Sequence, residues 1–377
     1  MIKDYFGKIA FAGVMVAVAL FSRAAYPRLY SVATGNSSAA NRSASGGIPQ
    51  FIFPALSLAA DSRQGFAADP GAAADPASSS IPSADPGDSA MNAGAVEGGS
   101  IVAPASAQNG AILTVPTGLV AGSAFSRVSA IAPPTLAVEA SLVADLATGV
   151  RFMNMNADER WPLASVTKLM TATIALDKLS PAQKITITQD AFDADPTEKT
   201  LRVGDTYSVS DLLHFLLMPS SNVAAEALAG VYGRTQFVAE MNARAKAWGM
   251  TDTHYNDPSG LAVGNQSTAD DLVLLAQKVY TDYPGILAIS RTPQATVAEI
   301  NSGNQVVVKS INEFSGEADF IGGKTGYTDQ ANGNLLSIFS YESHPIVVVV
   351  LGADDGARFM NTETLYNWFM EDFKATN

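Results

Sequence analysis

FIGGKTGYTDQANGNLLSIFSYESHPIVVVVL, residues 320–351, contains three apolar runs separated by polar turns. The runs span about residues 320–327, 334–341 and 345–351, and only a short turn separates the last two. Runs rich in Val, Ile and Phe that are bounded by Gly, Asn and Ser are typical of strands, and strands joined by a short turn pair antiparallel. The stretch therefore predicts strands of an antiparallel sheet.

More strands are predicted before this stretch, and a helix after it. Residues 136–145 and 150–154 flank a short turn that contains Gly149, so they predict a hairpin. Residues 295–300 and 305–311 also have strand character, and a terminal helix is predicted over 358–373. Strands therefore occur near both ends of the region.

Residues 205–283, between these strands, are predicted to be almost entirely helical. Ser208-x-x-Asp211 and Thr268-x-x-Asp271 fit the pattern of helix N-terminal caps, and Pro219 ends the first of these helices. The predicted helices cover residues 165–179, 209–218, 223–232, 235–248 and 268–280.

This order of elements predicts an α/β (α+β) fold. One antiparallel sheet would be flanked by helices, with an all-helical subdomain inserted between its strands. We expect the functional site in the cleft between the sheet and the subdomain.

The N-terminal third of the chain has a different composition. Lys3 and Lys8 precede the apolar run Ile9–Phe21, so residues 1–30 predict an export signal or a retained membrane anchor. Residues 31–130 are rich in Ala, Ser, Gly and Pro and predict a disordered linker, because they cannot bury enough apolar surface to offset their ordering entropy. Residues 131–377 are the predicted folded domain.

Composition excludes several functional classes. The 377 residues carry a formal net charge of −13, which falls almost entirely on residues 131–377, so a nucleic-acid partner is not expected. The chain has no Cys and only three His, which excludes thiolate metal sites and cysteine nucleophiles. We expect no metal and no cofactor.

The first candidate motif is Ser165-Val-Thr-Lys168, at the start of a predicted helix. A spacing of three residues places the hydroxyl and the amine on one helix face. The pair suits a nucleophile and its base, because desolvation, the helix N-terminus and a nearby cation all lower the pKa of a lysine.

Two further motifs place polar groups near the predicted cleft. Ser220-Ser-Asn222 lies at a break between two helices, where Ser and Asn also serve as caps. A second Ser-x-Asn, Ser302-Gly-Asn304, is interpreted as a plain turn. Lys324-Thr-Gly326 lies on a predicted strand and offers a cation and a hydroxyl to a carboxylate. A phosphate-binding loop is excluded, because Ala318 stands where that motif needs Gly.

Together with Asp257-Pro-Ser-Gly-Leu and Ser267-Thr-Ala-Asp-Asp-Leu, these three motifs resemble the D-alanyl-D-alanine carboxypeptidase family, peptidase family S11 of the low-molecular-mass penicillin-binding proteins. The resemblance covers about residues 136–373 and implies a fold like those of penicillin-binding proteins and β-lactamases. It also implies that residues 131–377 are a D-Ala-D-Ala peptidase catalytic domain.

The resemblance implies a role for each motif residue. Ser165 would be the acyl-enzyme nucleophile, Lys168 its general base, and Ser220 the group that passes a proton to the leaving D-alanine. The implied substrate-binding residues are Asn222, Lys324, Thr325, Gly326 and Tyr327, of which Lys324 and Thr325 would hold the terminal carboxylate, and the N–H groups of Ser165 and Tyr327 would form the oxyanion hole.

The implied partners are a peptidoglycan stem peptide ending in D-Ala-D-Ala, β-lactams as covalent inhibitors, and a membrane through the N-terminal segment. The implied location is the cell envelope: the outer face of the cytoplasmic membrane for a retained anchor, or the periplasm or cell wall for a cleaved signal.

The sequence leaves four alternatives to a carboxypeptidase. The chain ends just after the region of resemblance, which leaves room for an endopeptidase that cuts D-alanyl cross-links. A β-lactamase is disfavoured because Ser221 stands where class A enzymes have Asp, and no loop carries a recognisable deacylating Glu. A non-catalytic peptidoglycan-binding scaffold would not need all three motifs. A Ser-His-Asp triad is disfavoured because structural or surface roles suit His214 and His344 better.

Overall fold

The computed structural model describes residues 113–114, 118–354 and 356–376. The strands of these ranges are short at the N-terminus and long at the C-terminus: β1 Leu113–Thr114, β2 Gly118–Leu119, β3 Phe125–Arg127, β4 Ala140–Asp145, β5 Arg151–Met155, β6 Trp161–Pro162, β7 Lys184–Thr186, β8 Thr206–Ser208, β9 Gln266–Ser267, β10 Gln294–Ala298, β11 Gln305–Lys309, β12 Phe320–Thr328, β13 Asn332–Tyr341, β14 His344–Ala353 and β15 Phe373–Ala375.

The helices of the same ranges lie mostly between β6 and β10. They are α1 Lys168–Lys178, α2 Gln189–Phe192, α3 Val209–Leu217, α4 Asn222–Tyr232, α5 Arg234–Ala247, α6 Ala269–Asp282, α7 Pro284–Ser290 and α8 Ala357–Asp372, and a 3₁₀ turn, Ala164–Thr167, precedes α1.

The central sheet has six strands in the order β1-β5-β4-β14-β13-β12, and all neighbouring strands are antiparallel. Strands β12, β13 and β14 are the three apolar runs predicted within residues 320–351. The hairpin β4–β5 joins the sheet through β4, which pairs with β14. The predicted antiparallel sheet, its flanking helices and the inserted helices are confirmed.

Both faces of the sheet are covered, which explains the uninterrupted apolar run in β14. Val347, Val349 and Leu351 belong to the hydrophobic core shared with helices α1 to α7. Ile346, Val348 and Val350 point to the opposite face and pack in a second core with α8. Because alternate side chains of a strand point to opposite faces, a strand buried on both sides needs an apolar residue at every position.

The predicted helix caps form as expected. The side chain of Ser208 accepts a hydrogen bond from the backbone N–H of Asp211, and Thr268 does the same for Asp271. Small two-stranded units that the sequence did not predict flank the helices; one of them pairs β7 with β8. The predicted strands at 295–300 and 305–311 form β10 and β11, a hairpin separate from the central sheet.

The structured region begins before the predicted boundary at residue 131. β1 pairs with β5, and β3 pairs with both β2 and β15, so residues within the predicted 31–130 linker add strands to the folded unit. Phe125 is fully buried, and Arg127 forms an ion pair with the buried Asp372. These residues pair with segments far away in the sequence, so their local composition does not reveal them.

The predicted export segment, residues 1–30, and the linker up to residue 112 lie outside the described residues. Within the residues described, no helix is both long enough and apolar enough to cross a membrane.

Candidate active site

Ser165 lies in the 3₁₀ turn that leads into α1, and this turn is clamped on two sides. Ala164 has a φ of 47°, in the left-handed region where a residue with a side chain is strained. A Cβ on Gly260 would lie 1.9 Å from the Ala164 carbonyl oxygen, and one on Gly326 would lie 3.2 Å from the Ser165 nitrogen. Glycines at these two positions let a loop and strand β12 approach the backbone of the turn.

Lys168 is fully buried and reaches three oxygen atoms. Its Nζ lies 2.7 Å from Oγ of Ser165, 2.8 Å from Oδ1 of Asn222 and 2.6 Å from the carbonyl oxygen of Ser259. The amine therefore contacts the predicted nucleophile directly and is held in place by two groups that only accept hydrogen bonds.

Burial lowers the pKa of Lys168 from its ordinary 10.5 to about 7. The dominant cause is the desolvation of the ammonium form. Four carboxylates oppose this shift, in order of effect Asp257, Glu198, Asp195 and Glu226. Near neutral pH a large fraction of Lys168 is thus a neutral amine, which can accept a proton from Ser165.

Asn222 is the first residue of α4, and Ser221 caps that helix by accepting from the N–H of Ala224. The amide nitrogen Nδ2 of Asn222 donates to Oδ2 of Asp195 at 3.3 Å, which directs Oδ1 towards Lys168. The hydroxyl of Ser221 donates to Glu198 at 2.6 Å. The segment after α2 therefore fixes the Ser220-Ser-Asn222 motif through two carboxylates.

Lys324 links strand β12 to the helical side of the cleft. Its Nζ lies 2.8 Å from Oγ of Ser220 and 2.8 Å from the carbonyl oxygen of Thr325. Ser220 has a φ of 69°, a strained conformation for serine that is often found at functional sites. Lys324 and Ser220 thus connect the sheet with the break between α3 and α4.

Lys324 is almost completely buried, and burial lowers its pKa well below 10.5. The positive charges of Lys168 and Arg358 add to this effect. A carboxylate that binds here would favour the charged form of Lys324, because an opposite charge stabilises an ammonium.

Strand β12 forms one edge of the central sheet. Gly326 lies beside the turn that carries Ser165, and Nη1 of Arg358 lies 3.5 Å from the Gly326 carbonyl oxygen. Tyr327, the next residue, is 44% exposed. An edge strand next to a nucleophile can pair with an extended peptide.

The structure brings residues of all three motifs into contact where strand β12 meets α1 and the break between α3 and α4. The competing motif at Ser302-Gly-Asn304 lies elsewhere, in the β10–β11 turn, where Ser302 donates to Glu299. The histidines weighed for a triad also have other contacts: His214 bonds the Ser210 carbonyl within α3, and the ring of His344 packs against Phe125.

The loop from Asp257 to Asn265 is a part of the site to which the sequence analysis gave no role. It supplies the Ser259 carbonyl that contacts Lys168, and Asn265 donates to the hydroxyl of Thr167. The Pro258 carbonyl accepts from Thr171 of α1. The loop therefore packs along the buried side of the helix that carries Lys168.

A cavity of about 690 Å³ opens beyond this loop. It is bounded by α2, α4 and residues 257–261, and Glu226 and Arg234 in its wall form an ion pair. Ser165, Lys168 and Lys324 do not line it. In the part of the chain that the structure describes, no three His, Asp or Glu side chains are grouped so that they could hold a metal ion.

Comparison with known proteins identifies the family of the chain. Residues 127–355, more than half of the chain, match the family model of the S11 peptidases, described as D-alanyl-D-alanine carboxypeptidase. The chain belongs to the S11 peptidase family. As an S11 peptidase it is a serine hydrolase, and the family predicted from the five motifs is confirmed.

Curated relatives of this S11 peptidase include enzymes of two activities. A D-alanyl-D-alanine endopeptidase of Pseudomonas aeruginosa is 34% identical over 258 residues, which is 64% of this chain and 82% of the relative. The D-alanyl-D-alanine carboxypeptidase DacC of Escherichia coli is 31% identical over 272 residues, or 68% of this chain and 67% of that protein.

Solved structures agree with the fold of the S11 peptidase. A D-alanyl-D-alanine carboxypeptidase of Mycobacterium tuberculosis superposes with a TM-score of 0.60 at 27% identity, covering 65% of this chain and 95% of its own. Penicillin-binding protein D2 of Listeria monocytogenes, in its cefotaxime-bound form, superposes with a TM-score of 0.56 at 31% identity. The match covers 63% of this chain and 98% of the Listeria monocytogenes chain. The predicted fold like those of penicillin-binding proteins is confirmed.

Proposed function

We propose that the chain is a serine-type D-alanyl-D-alanine carboxypeptidase that trims peptidoglycan stem peptides through an acyl-enzyme on Ser165. The observation that carries the proposal is the contact of 2.7 Å between Nζ of Lys168 and Oγ of Ser165, at a lysine whose pKa is about 7. A buried neutral amine beside a serine hydroxyl is a nucleophile with its base.

In the acylation step, Lys168 takes the proton of Ser165, and Oγ attacks the carbonyl carbon of the penultimate D-alanine. The backbone N–H groups of Ser165 and Tyr327 stabilise the oxyanion. The position of Gly326 against the Ser165 backbone supports this pairing, because it brings the strand that carries Tyr327 beside the nucleophile.

Lys324 and Thr325 bind the terminal carboxylate of the substrate, and Ser220 relays the proton that Lys168 took from Ser165 to the nitrogen of the leaving D-alanine. The contact of 2.8 Å between Lys324 and Ser220 supports a shared task, because it connects carboxylate binding with proton transfer. The second N–H of the Asn222 amide donates to the substrate backbone, while the first stays on Asp195. Water then replaces D-alanine: it gives a proton to Lys168 and attacks the ester carbonyl, and Lys168 returns that proton to Oγ of Ser165 as the acyl group leaves.

The proposal is tested on the full chain with a fluorescent penicillin and, separately, with a pentapeptide that ends in D-Ala-D-Ala. We expect a stable label and released D-alanine from the parent and neither from Ser165→Ala. Ser180→Ala, at an exposed serine just after α1, is the matched control and should behave as the parent. Rapid turnover of the penicillin would identify a β-lactamase, and the absence of any label would overturn the acyl-enzyme itself.

A D-alanyl endopeptidase is the second candidate, favoured by one observation. The Pseudomonas aeruginosa relative, matched over 82% of its length at 34% identity, carries that activity in its name. Both reactions use the same acyl-enzyme and differ in the leaving group, which is free D-alanine or a cross-linked peptide. Cleavage of a cross-linked muropeptide dimer without release of D-alanine from the pentapeptide would make the endopeptidase the main activity.

The substrate class assigns the enzyme to the cell envelope, since peptidoglycan lies outside the cytoplasmic membrane. The basic and apolar residues 1–30 support export, either as a cleaved signal or as an anchor on the outer face of the membrane. The mass of the mature protein isolated from cells distinguishes these outcomes. Loss of about 25 residues indicates a cleaved signal, and an intact N-terminus in the membrane fraction indicates an anchor.

A further inference from the structure

We infer that Asp257 is a positioning residue for the reaction proposed above: its carboxylate fixes the turn that holds the Ser259 carbonyl against Lys168 and so directs the lone pair of the amine at Ser165. This inference rests on the proposed function, and it assigns a role to the Asp257-Pro-Ser-Gly-Leu loop, for which the family resemblance implied none.

The carboxylate of Asp257 organises the loop from inside. It is only 6% exposed, and it accepts hydrogen bonds from the backbone N–H groups of Ser259 at 2.7 Å, Gly260 at 2.5 Å and Ala262 at 2.6 Å. The Ser259 hydroxyl donates to the same carboxylate at 3.0 Å. Three backbone groups of one turn are thus tied to one side chain, which stabilises the observed conformation of the turn.

In that conformation the Ser259 carbonyl oxygen lies 2.6 Å from Nζ of Lys168. The opposite side of the turn is blocked, because Gly260 packs directly against the carbonyl of Ala164, next to the nucleophile. The loop therefore cannot retreat from Lys168 or advance towards Ser165 without breaking contacts on one side.

The Ser259 carbonyl matters because it accepts one N–H of neutral Lys168 and so helps to decide where the lone pair of the amine points. Neutral Lys168 has two N–H donors and one lone pair, and its neighbours are two pure acceptors and one hydroxyl. The oxygens of Asn222 and Ser259 can only take the two N–H groups. The lone pair then points to the hydroxyl of Ser165, the one neighbour with a proton to give. After proton transfer, the ammonium has an acceptor for each of its three N–H groups.

The test measures acylation of the full chain by a fluorescent penicillin across pH in Asp257→Asn and Asp257→Ala. Misplacement of a catalytic group by about 1 Å costs on the order of 100-fold in rate. We expect that loss for Asp257→Ala and about a tenfold loss for Asp257→Asn, which keeps the shape of the side chain. Thermal unfolding of each variant shows whether it has folded.

The pH profile separates positioning from loss of structure. Removing the negative charge of Asp257 lowers the pKa of Lys168, so the acid limb of the profile should move to lower pH. A loop that merely opens would hydrate Lys168 and move the limb to higher pH, because burial is what lowers this pKa. The charged groups that face Lys168 and remain in both variants are Asp195, Glu198, Glu226 and Lys324.

Asp271→Asn is the matched control. Asp271 is also 6% exposed and also binds a nearby loop, through the N–H of Asp252 and the hydroxyl of Thr253, but it does not contact the site residues. We expect Asp271→Asn to be acylated at the parental rate, with the acid limb of its pH profile at the parental pH. An unchanged rate in Asp257→Ala, a limb that moves upward, or an equal loss in Asp271→Asn would each overturn the positioning role. A parent that takes no label would instead overturn the proposed function.

Discussion

At the residue scale, the property on which the chemistry depends is the protonation state of Lys168. Its pKa of about 7 means that the base is neutral above pH 7 and protonated below it. We expect acylation of Ser165 by penicillin to rise about tenfold per pH unit below pH 7 and to level off above it. Stopped-flow labelling between pH 5 and pH 9 checks this profile. A rate that still rises tenfold per unit at pH 9 would show a lysine of ordinary pKa.

Gly260 gives a second prediction at this scale. Gly260→Ala would place a Cβ at 1.9 Å from the Ala164 carbonyl oxygen, so the turn must move away from Ser165. We expect slower acylation as well as a lower free energy of unfolding, measured by penicillin labelling and urea titration.

Gly204→Ala controls for backbone strain in that experiment. Gly204 has a φ of +91°, against +90° for Gly260, and nothing lies within 4 Å of its added Cβ. It should lose about 1 to 2 kcal/mol for the left-handed conformation alone and keep the parental rate of acylation. Equal acylation rates in the two variants would contradict the steric argument.

At the element scale, local signals predicted the helices and long strands, whereas remote contacts decided the rest. Caps such as Ser208 and the apolar run of β14 are properties of neighbouring residues, so a single sequence reveals them. The three residues of β3 pair with the short strand β2 on one side and, on the other, with β15 at the far end of the chain. In the site, the spacing of Ser165 and Lys168 was informative, but no local pattern connects Ser259 to a lysine 91 positions away.

The β10–β11 hairpin gives a prediction for an element. Glu299, at its turn, accepts hydrogen bonds from the N–H groups of Thr206, Asn301 and Ser302 and from the Ser302 hydroxyl, which ties the hairpin to β8. These bonds lower the pKa of Glu299 from 4.5 to about 2. The stabilisation is therefore complete above pH 4.5 and is lost as the pH falls towards 2.

Glu299→Gln should accordingly be less stable than the parent at pH 7, with a difference that shrinks as the pH falls below 4.5. Urea unfolding between pH 3 and pH 7 measures this difference. Glu371→Gln, at an exposed position of α8, is the matched control for the loss of one carboxylate and should keep the parental stability at pH 7. A difference that stays constant down to pH 3 would mean that the charge of Glu299 contributes nothing.

At the scale of the whole molecule, the net charge of −13 opposes an anionic substrate. Positive charge is concentrated around Lys324, since Lys168 and Arg358 both act on it through their charges. Burial favours the neutral forms of the two lysines in the free enzyme, and a bound substrate carboxylate would favour their charged forms. Specificity for a free carboxylate thus depends on the cleft and not on the surface as a whole.

The last prediction concerns where the folded unit begins. A chain that starts at residue 131 loses Phe125, which packs against Phe152 and Phe369, and it loses Arg127, the partner of the fully buried Asp372. Deletion of a buried Phe side chain costs about 3 to 5 kcal/mol, and a buried carboxylate left without its cation costs a similar amount. We therefore expect a chain that lacks residues 1–130 to unfold at much lower urea than one that lacks residues 1–100, which keeps β1 to β3. Arg127→Met in the full chain should reproduce part of the loss, because it leaves Phe125 in place. Equal stability of the two truncated chains would restore the boundary at residue 131, since β3 would then contribute nothing to the fold.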